Sequence, residues 1–421
     1  MSSKQTRSIC AAILRDWEES TAFIDAIIDR RCTQAGLESR DRAFVQNITL
    51  GIIRNLTLLG TWIDRLRKGK IGSDEQRLLE IGLFQILLMR VPDHAAVNET
   101  VDLARPRARA MVNAVLRRAV RERDELLALT ETLPPAQRYS MPEHIYTRWE
   151  QQFGVKPAEQ IAANAAAPAA LTVRSNPLCG GLSKQDIEQS GAQAVDDHPG
   201  FYLVETLPID ALDCGRCYAQ DPATALAPDL LAPKPGERVL DACAAPGGKS
   251  AILAAAMENT GEIVAVDIAG PRSERLRENL RRLAVTNVRV ATLDLLREGA
   301  LLAELRESFD RVLIDVPCSN TGVLRRRVDA RWRLMPGFPA QMAQLQSRLV
   351  RAVVPLLKPG GKLVYSTCSI EPEENSGVVA GIIEQFPSLK KLEELSLLPS
   401  PRHDGAYAAL LGPFAGEGKL H

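Results

Sequence analysis

The sequence contains no stretch of about 18 consecutive apolar residues, so no membrane-spanning helix is expected from it. Its N-terminal MSSKQTRSICAAILRDWEES has a short apolar patch interrupted by Arg15 and Asp16, which does not make a secretory signal. Net charge is also missing: 52 Lys and Arg balance 52 Asp and Glu, so no overall field draws the chain to nucleic acid or membrane. Histidine is scarce, five in 421 residues, and the eight cysteines (10, 32, 179, 214, 217, 243, 318, 368) are scattered. A chain this long needs no disulfide staples, and a reduced, cytoplasmic compartment is expected. Cys214-Gly-Arg-Cys217 has the spacing of half a zinc or redox site, but no second pair follows it, so no metal is expected. Internal repeats, long low-complexity tracts and the G-x-G-x-x-G dinucleotide fingerprint are likewise absent.

What is present is ordinary globular composition, 45% apolar and 25% charged, at a length that allows two or three domains. Charge is concentrated locally. Residues 105–123 hold seven arginines against one acid, residues 272–282 hold five arginines, and 325–333 (RRRVDARWR) another five. Residues 1–133 read as all helix. In 42–66, Phe44, Val45, Ile48, Ile52, Leu59 and Ile63 recur at steps of three and four. The stretch SDEQRLLEIGLFQILLM begins with Ser73 as a cap, then Asp74 and Glu75 in the first turn. Three prolines in TLPPAQRYSMPEH mark a boundary, and 134–218 reads as a small α+β connector. From 219 to 421 strands alternate with helices: ERVLDA, EIVAVDI, NVRVATLD, FDRVLIDV and GKLVYST are strands. That rhythm predicts a parallel, doubly wound α/β sheet, whose ligands bind at the carboxyl ends of strands. Asp241, Asp267, Asp294, Asp315 and Cys368 all fall at or just past such ends.

The loop DACAAPGGKS joins the first of these strands to a helix. Gly248-Lys249-Ser250 matches the end of a nucleotide phosphate loop, but Cys243 stands where that loop needs its first glycine. S-adenosylmethionine has no phosphate and needs only a compact glycine turn. Its ribose diol wants an acid about 20 residues beyond the glycines, which is where Asp267 stands, and Asp294 is placed for the adenine amino group. Helix capping or turn formation is the competing role for both acids.

The fourth strand ends Asp315-Val316-Pro317-Cys318. A methyltransferase acting on an amino group would carry an aromatic clamp there, so sulfur in its place points to a carbon that must first be activated. Carbon 5 of cytosine is such an atom. A thiolate adding to carbon 6 makes the ring an enamine, and carbon 5 can then attack a methyl donor. A donor near ring N3 is needed, which a neutral Asp315 in a dry pocket could supply. The proton on carbon 5 must then leave and the sulfur be expelled. Cys318 and Cys368, at two strand ends, suit this cycle, and either could be the nucleophile. The arginines at 325–333 would hold phosphates beside a base flipped out of its stack.

The stretches QDPATALAPDLL, VLDACAAPGGKS, VAVDI, DVPCSNTGVLRR and LVYSTCSIEPEENSGVV make residues 219–421 similar to the Sun/Nop2 family of RNA 5-methylcytidine methyltransferases. With VPDHAAVNETVDLA and MVNAVLRR, the N-terminal bundle resembles the NusB-like RNA-binding domain. The resemblance implies a Rossmann-like class I S-adenosylmethionine-dependent methyltransferase domain behind a connector and an all-α bundle, acting on small-subunit ribosomal RNA. It assigns attack to Cys368 and release to Cys318, and lines the cofactor site with Cys243, Ala244, Ala245, Pro246, Gly247, Gly248, Lys249, Asp267, Asp294 and Asp315. Asn320 stands where the family commonly has Gly, RRRVDARW replaces its His-Pro after two arginines, and Ala406 replaces an aromatic near the end. A monomer is expected. The competing expectation is a non-catalytic RNA-binding assembly or antitermination factor.

Overall fold

The computed structural model describes residues 3–89, 91–297 and 299–415. The chain forms two units: Met1–Pro168 with Leu324–Leu334, and Ala169–Val323 with Met335–His421. Of residues 134–218, those up to Pro168 therefore go with the first unit and the rest with the second. No helix among the described residues is long and apolar enough to cross a membrane.

The first unit is helical. The periodic run 42–66 breaks at Asn55 into helices Ser39–Arg54 and Leu56–Leu66. Val45, Ile48, Ile52, Leu59 and Ile63 enter the core, while Phe44 packs at its margin. The next helix, Ser73–Leu83, starts one residue earlier than a Ser73 cap requires: Gly72 occupies the cap position and Ser73 is already helical. Asp74 and Glu75 do stand in the first turn, where acids complement the helix dipole. Gly51 has no room for a side chain, because a Cβ there would sit 1.9 Å from the Phe84 ring.

Residues Leu324–Leu334 belong to this helical unit. Val328 lies in its core. The Asp329 carboxylate accepts from Ile24 N at 2.9 Å, at the start of helix Ile24–Gln34, and Trp332 Nε1 donates to Ile53 O at 2.9 Å. Arg331 is fully buried and donates to Ala165 O at 2.6 Å, with longer contacts to the carbonyls of Tyr139, Ser140 and Leu324. These findings correct the expectation that the run 325–333 forms a free phosphate clamp. Arg325 and Arg331 are buried, Arg333 pairs with Asp329, and the exposed Arg327 pairs with Asp25 at 2.8 Å. Carbonyl oxygens of a packed interior need donors, and this segment provides them.

The second unit holds two sheets. A small antiparallel sheet contains β1 (Thr172–Ser175), β2 (Gln193–Ala194), β3 (Phe201–Leu203) and β4 (Cys217–Ala219), in the order β2-β3-β1-β4. The large sheet contains β5 (Arg238–Ala242), β6 (Glu262–Asp267), β7 (Val288–Thr292), β8 (Phe309–Asp315), β9 (Leu357–Thr367), β10 (Lys390–Leu397) and β11 (Ala406–Gly412), ordered β10-β11-β9-β8-β5-β6-β7. Strands β5 to β9 are parallel, as the alternating pattern predicts. The edge differs from that prediction, since β11 runs antiparallel between β9 and β10. β10 (KKLEELSL) is a charged edge strand with no clean apolar alternation, so its pattern hides it. Ala406 leaves the β10–β11 pairing intact and pairs with Leu397. The strand order reverses between β5 and β8, and crevices of such sheets open at that point.

Candidate active site

The loop after β5 turns sharply into helix Gly248–Ala256. Cys243 and Gly247 both take positive φ, +63° and +103°. At Gly247 a Cβ would come within 2.9 Å of Leu276, so a side chain is excluded sterically as well as conformationally. The loop is tied to its neighbours: Ala244 N donates to Val266 O at 2.9 Å and Ala245 N to Asp267 Oδ2 at 2.8 Å. Arg272 and Asn279, both on helix Pro271–Arg282, donate to the carbonyls of Ala245 and Pro246. This accounts for part of the arginine run 272–282.

The near-match to a phosphate loop resolves against phosphate. Lys249 Nζ lies 2.7 Å from Asp315 Oδ2, and Ser250 Oγ donates to Asp241 at 2.5 Å. Burial opposes charge on Lys249, but Asp315 beside it more than compensates and raises its pKa. Asp241 is fully buried, and burial pushes its carboxyl up to about 7; its Oδ1 has no hydrogen-bond partner. Burial also pushes the Cys243 thiol up to about 12. Lys249, the residue a phosphate loop would aim at its ligand, is thus already paired with an acid, while the Asp315 beside it suits a cofactor that carries a sulfonium and an ammonium.

Asp267 closes β6 and spends its two oxygens on Ala245 N and on Ile268 N, the latter at 2.8 Å. Asp294 forms a turn of its own, accepting from Leu296 N at 2.9 Å, with Arg297 at 3.3 Å. The competing turn chemistry is therefore present at Asp294, and a ligand there would share its carboxylate with the loop. Asp315 accepts from Lys249 and, at 2.8 Å, from Ser366 Oγ. Both Asp315 oxygens are thus engaged, one by the Lys249 ammonium and one by the Ser366 hydroxyl.

The two sulfurs meet. Cys318 Sγ and Cys368 Sγ are 3.0 Å apart. Cys318 is buried; its hydrogen bond to Cys368 and then its burial raise its pKa well above the usual thiol range. Cys368 is half-buried and lines a pocket with Lys249, Asp315, Ser366, Ala406 and Tyr407. Asn320 holds φ +63°, the left-handed geometry that a glycine would otherwise supply; its side chain donates to Cys318 O at 3.0 Å and accepts from Cys368 Sγ at 3.5 Å.

With this geometry in place, comparison with known proteins is decisive. A Vibrio cholerae protein, ribosomal RNA small subunit methyltransferase B, is 37% identical over 387 residues, covering 85% of this chain and 84% of its own. The chain belongs to the ribosomal RNA small subunit methyltransferase B family. The family described as 16S rRNA methyltransferase RsmB/F matches residues 228–406, and the NusB family matches 4–121. A probable methyltransferase B of Synechocystis is 32% identical, covering 90% of this chain and 89% of its own. A crystal structure of a methyltransferase homologue from Pyrococcus horikoshii superposes with a TM-score of 0.55 at 29% identity, over 67% of this chain and 98% of that one.

The sequence reading missed the polar supports behind the sulfurs. Glu374, Gln346, Tyr365 and Ser366 are all buried and hydrogen-bonded around the ends of β8 and β9. The one available signal was EPEEN one residue after Thr-Cys-Ser, too acidic a stretch for a strand end unless its carboxylates find donors. The Cys214/Cys217 pair stays apart from this site. Cys217 is buried in β4, where burial pushes its thiol up to about 11, and Cys214 is exposed.

Proposed function

We propose that the chain methylates carbon 5 of a cytidine in small-subunit ribosomal RNA by way of a transient bond between Cys368 Sγ and carbon 6 of the base. The protein is an S-adenosylmethionine-dependent RNA methyltransferase; the cofactor supplies an electrophilic methyl group on sulfonium sulfur. The observation that carries the covalent route is the 3.0 Å sulfur pair with Cys368 facing the pocket of Lys249 and Asp315. Residues Cys243 to Lys249, with Asp267, Asp294 and Asp315, would hold the cofactor.

Cys368, as thiolate, adds to carbon 6 and places negative charge on the ring. The Lys249 ammonium, itself anchored on Asp315, is the donor that stabilises that charge at N3. Cys318, 3.0 Å away, serves release: its thiol hands its proton to the Cys368 sulfur as that sulfur leaves carbon 6 and takes the carbon 5 proton in exchange, so the thiol is restored. Exposed arginines on helix Pro106–Arg121, such as Arg107 and Arg121, supply phosphate contacts from the helical unit. The enzyme acts in the cytoplasm, where ribosomal subunits form.

The test is transfer of labelled methyl from S-adenosylmethionine to small-subunit ribosomal RNA, with the product mapped by bisulfite sequencing. A single methylated cytidine that disappears from a deletion strain is the expected result. Absence of label in any RNA would leave only a binding role.

A further inference from the structure

We propose that Glu374 is a positioning residue: its buried carboxylate pins the loop that carries Cys318 to the loop that carries Cys368. This inference rests on the reading that both sulfurs take part in the reaction. Glu374 is fully buried and lies six residues after Cys368. Its Oε1 accepts from Ser319 N at 2.9 Å and from Gln346 Nε2 at 2.9 Å. Its Oε2 accepts from Ser369 Oγ at 2.7 Å and from Ser319 Oγ. Ser319 follows Cys318 and Ser369 follows Cys368, so one carboxylate holds the residue next to each sulfur.

The clamp has a second layer. Gln346 Nε2 also donates to Pro317 O at 3.0 Å, on the other side of Cys318. Tyr365 OH donates to Glu374 O at 2.5 Å and lies 3.1 Å from Gln346 Oε1. Gly322 N donates to Cys368 O at 2.9 Å, which joins the two loops directly. Four donors saturate both carboxylate oxygens, so Glu374 cannot itself reach a base or exchange a proton with one. Burying a carboxylate is unfavourable unless donors compensate it, and an apolar side chain would fill the same space without that penalty. What the carboxylate adds is four directed bonds converging on the residues that flank the sulfurs, each stronger than a neutral hydrogen bond.

The test measures sulfur geometry apart from catalysis. Diamide takes two hydrogens from a close thiol pair, forming the disulfide while its diazene becomes the hydrazine, and peptide mapping identifies the bridge. Wild type should bridge Cys318 to Cys368. Glu374→Ala should do so about tenfold more slowly, with kcat down about 10²-fold and cofactor affinity unchanged. Glu374→Gln should rescue both rates, because the Ser319 and Ser369 hydroxyls can rotate to accept from an amide. Ser369→Ala, which removes one of the four donors to Glu374 together with the Ser369 hydroxyl's contacts to Ser319 and Thr321, should show a smaller loss of both and covers the case in which Glu374→Ala does not fold. Bridging at the wild-type rate in Glu374→Ala, or in Ser369→Ala if the first is unfolded, overturns the inference. A second arm uses RNA containing 5-azacytidine. If wild type bridges its sulfurs but captures no such RNA, the nucleophile reading fails while the positioning role stands.

Discussion

Cys318 follows β8 and Cys368 follows β9, neighbouring parallel strands on which Asp315 stands beside Ser366. The same side chain reaches two different surroundings. Cys318 is enclosed, hydrogen-bonded to the other sulfur, and shifted firmly toward the thiol. Cys368 opens on the pocket with the Lys249 ammonium. Burial and the nearest charge thus set two identical side chains apart, and the proposed division of roles rests on that asymmetry, as with paired carboxylates in other active sites.

The largest effect should come from breaking the open side of this pair. Cys368→Ser should lower methyl transfer by about 10⁴-fold or more and abolish the covalent adduct with 5-azacytidine RNA, seen as a shifted band on a denaturing gel. An adduct that persists would reverse the two roles. Next comes the enclosed side: Cys318→Ala should lower turnover by about 10²- to 10⁴-fold while enzyme accumulates covalently on normal RNA. Free turnover in that variant would remove Cys318 from the release step.

Burial as the discriminating factor can be sharpened at Asp241. Its folded value of about 7 lies above the ordinary 3.8, so the group favours folding fully below about pH 4 and that contribution is lost as pH rises through 7. The Asp241→Asn variant does not titrate there. It should gain on wild type by about 1.4 kcal/mol per pH unit between pH 4 and 7, levelling above that, in urea unfolding at several pH values. A pH-independent difference would mean that the carboxyl is solvated. The arginines give the smallest and most local version of the contrast. Arg331→Met strips donors from buried carbonyls and should cost about 3 kcal/mol in the same unfolding assay. Arg107→Ala, on the exposed helix face, should stay within about 0.5 kcal/mol.

Much of the fold was legible. Apolar runs ending in Asp marked β5 to β8, and three-four periodicity marked the helical core around Ile48, Ile52 and Leu59. The antiparallel edge was not, because β10 is charged and nothing local to β11 says that it inserts between β9 and β10. At the site, the loop Cys243 to Lys249 and both sulfurs were readable as motifs. Glu374 was not, since its four donors come from Ser319, Gln346 and Ser369, separated by up to 55 residues.

By itself the sequence determined which reactive groups the enzyme has and which strand ends present them, because strand and helix periods follow from local side-chain alternation. Only tertiary structure decided their charge states and partners. It put Arg331 inside and Arg107 outside, paired Lys249 with Asp315, and set the sulfurs 3.0 Å apart. Protonation and ion pairing depend on distance and desolvation across the fold, and neither quantity is written in the order of residues along the chain.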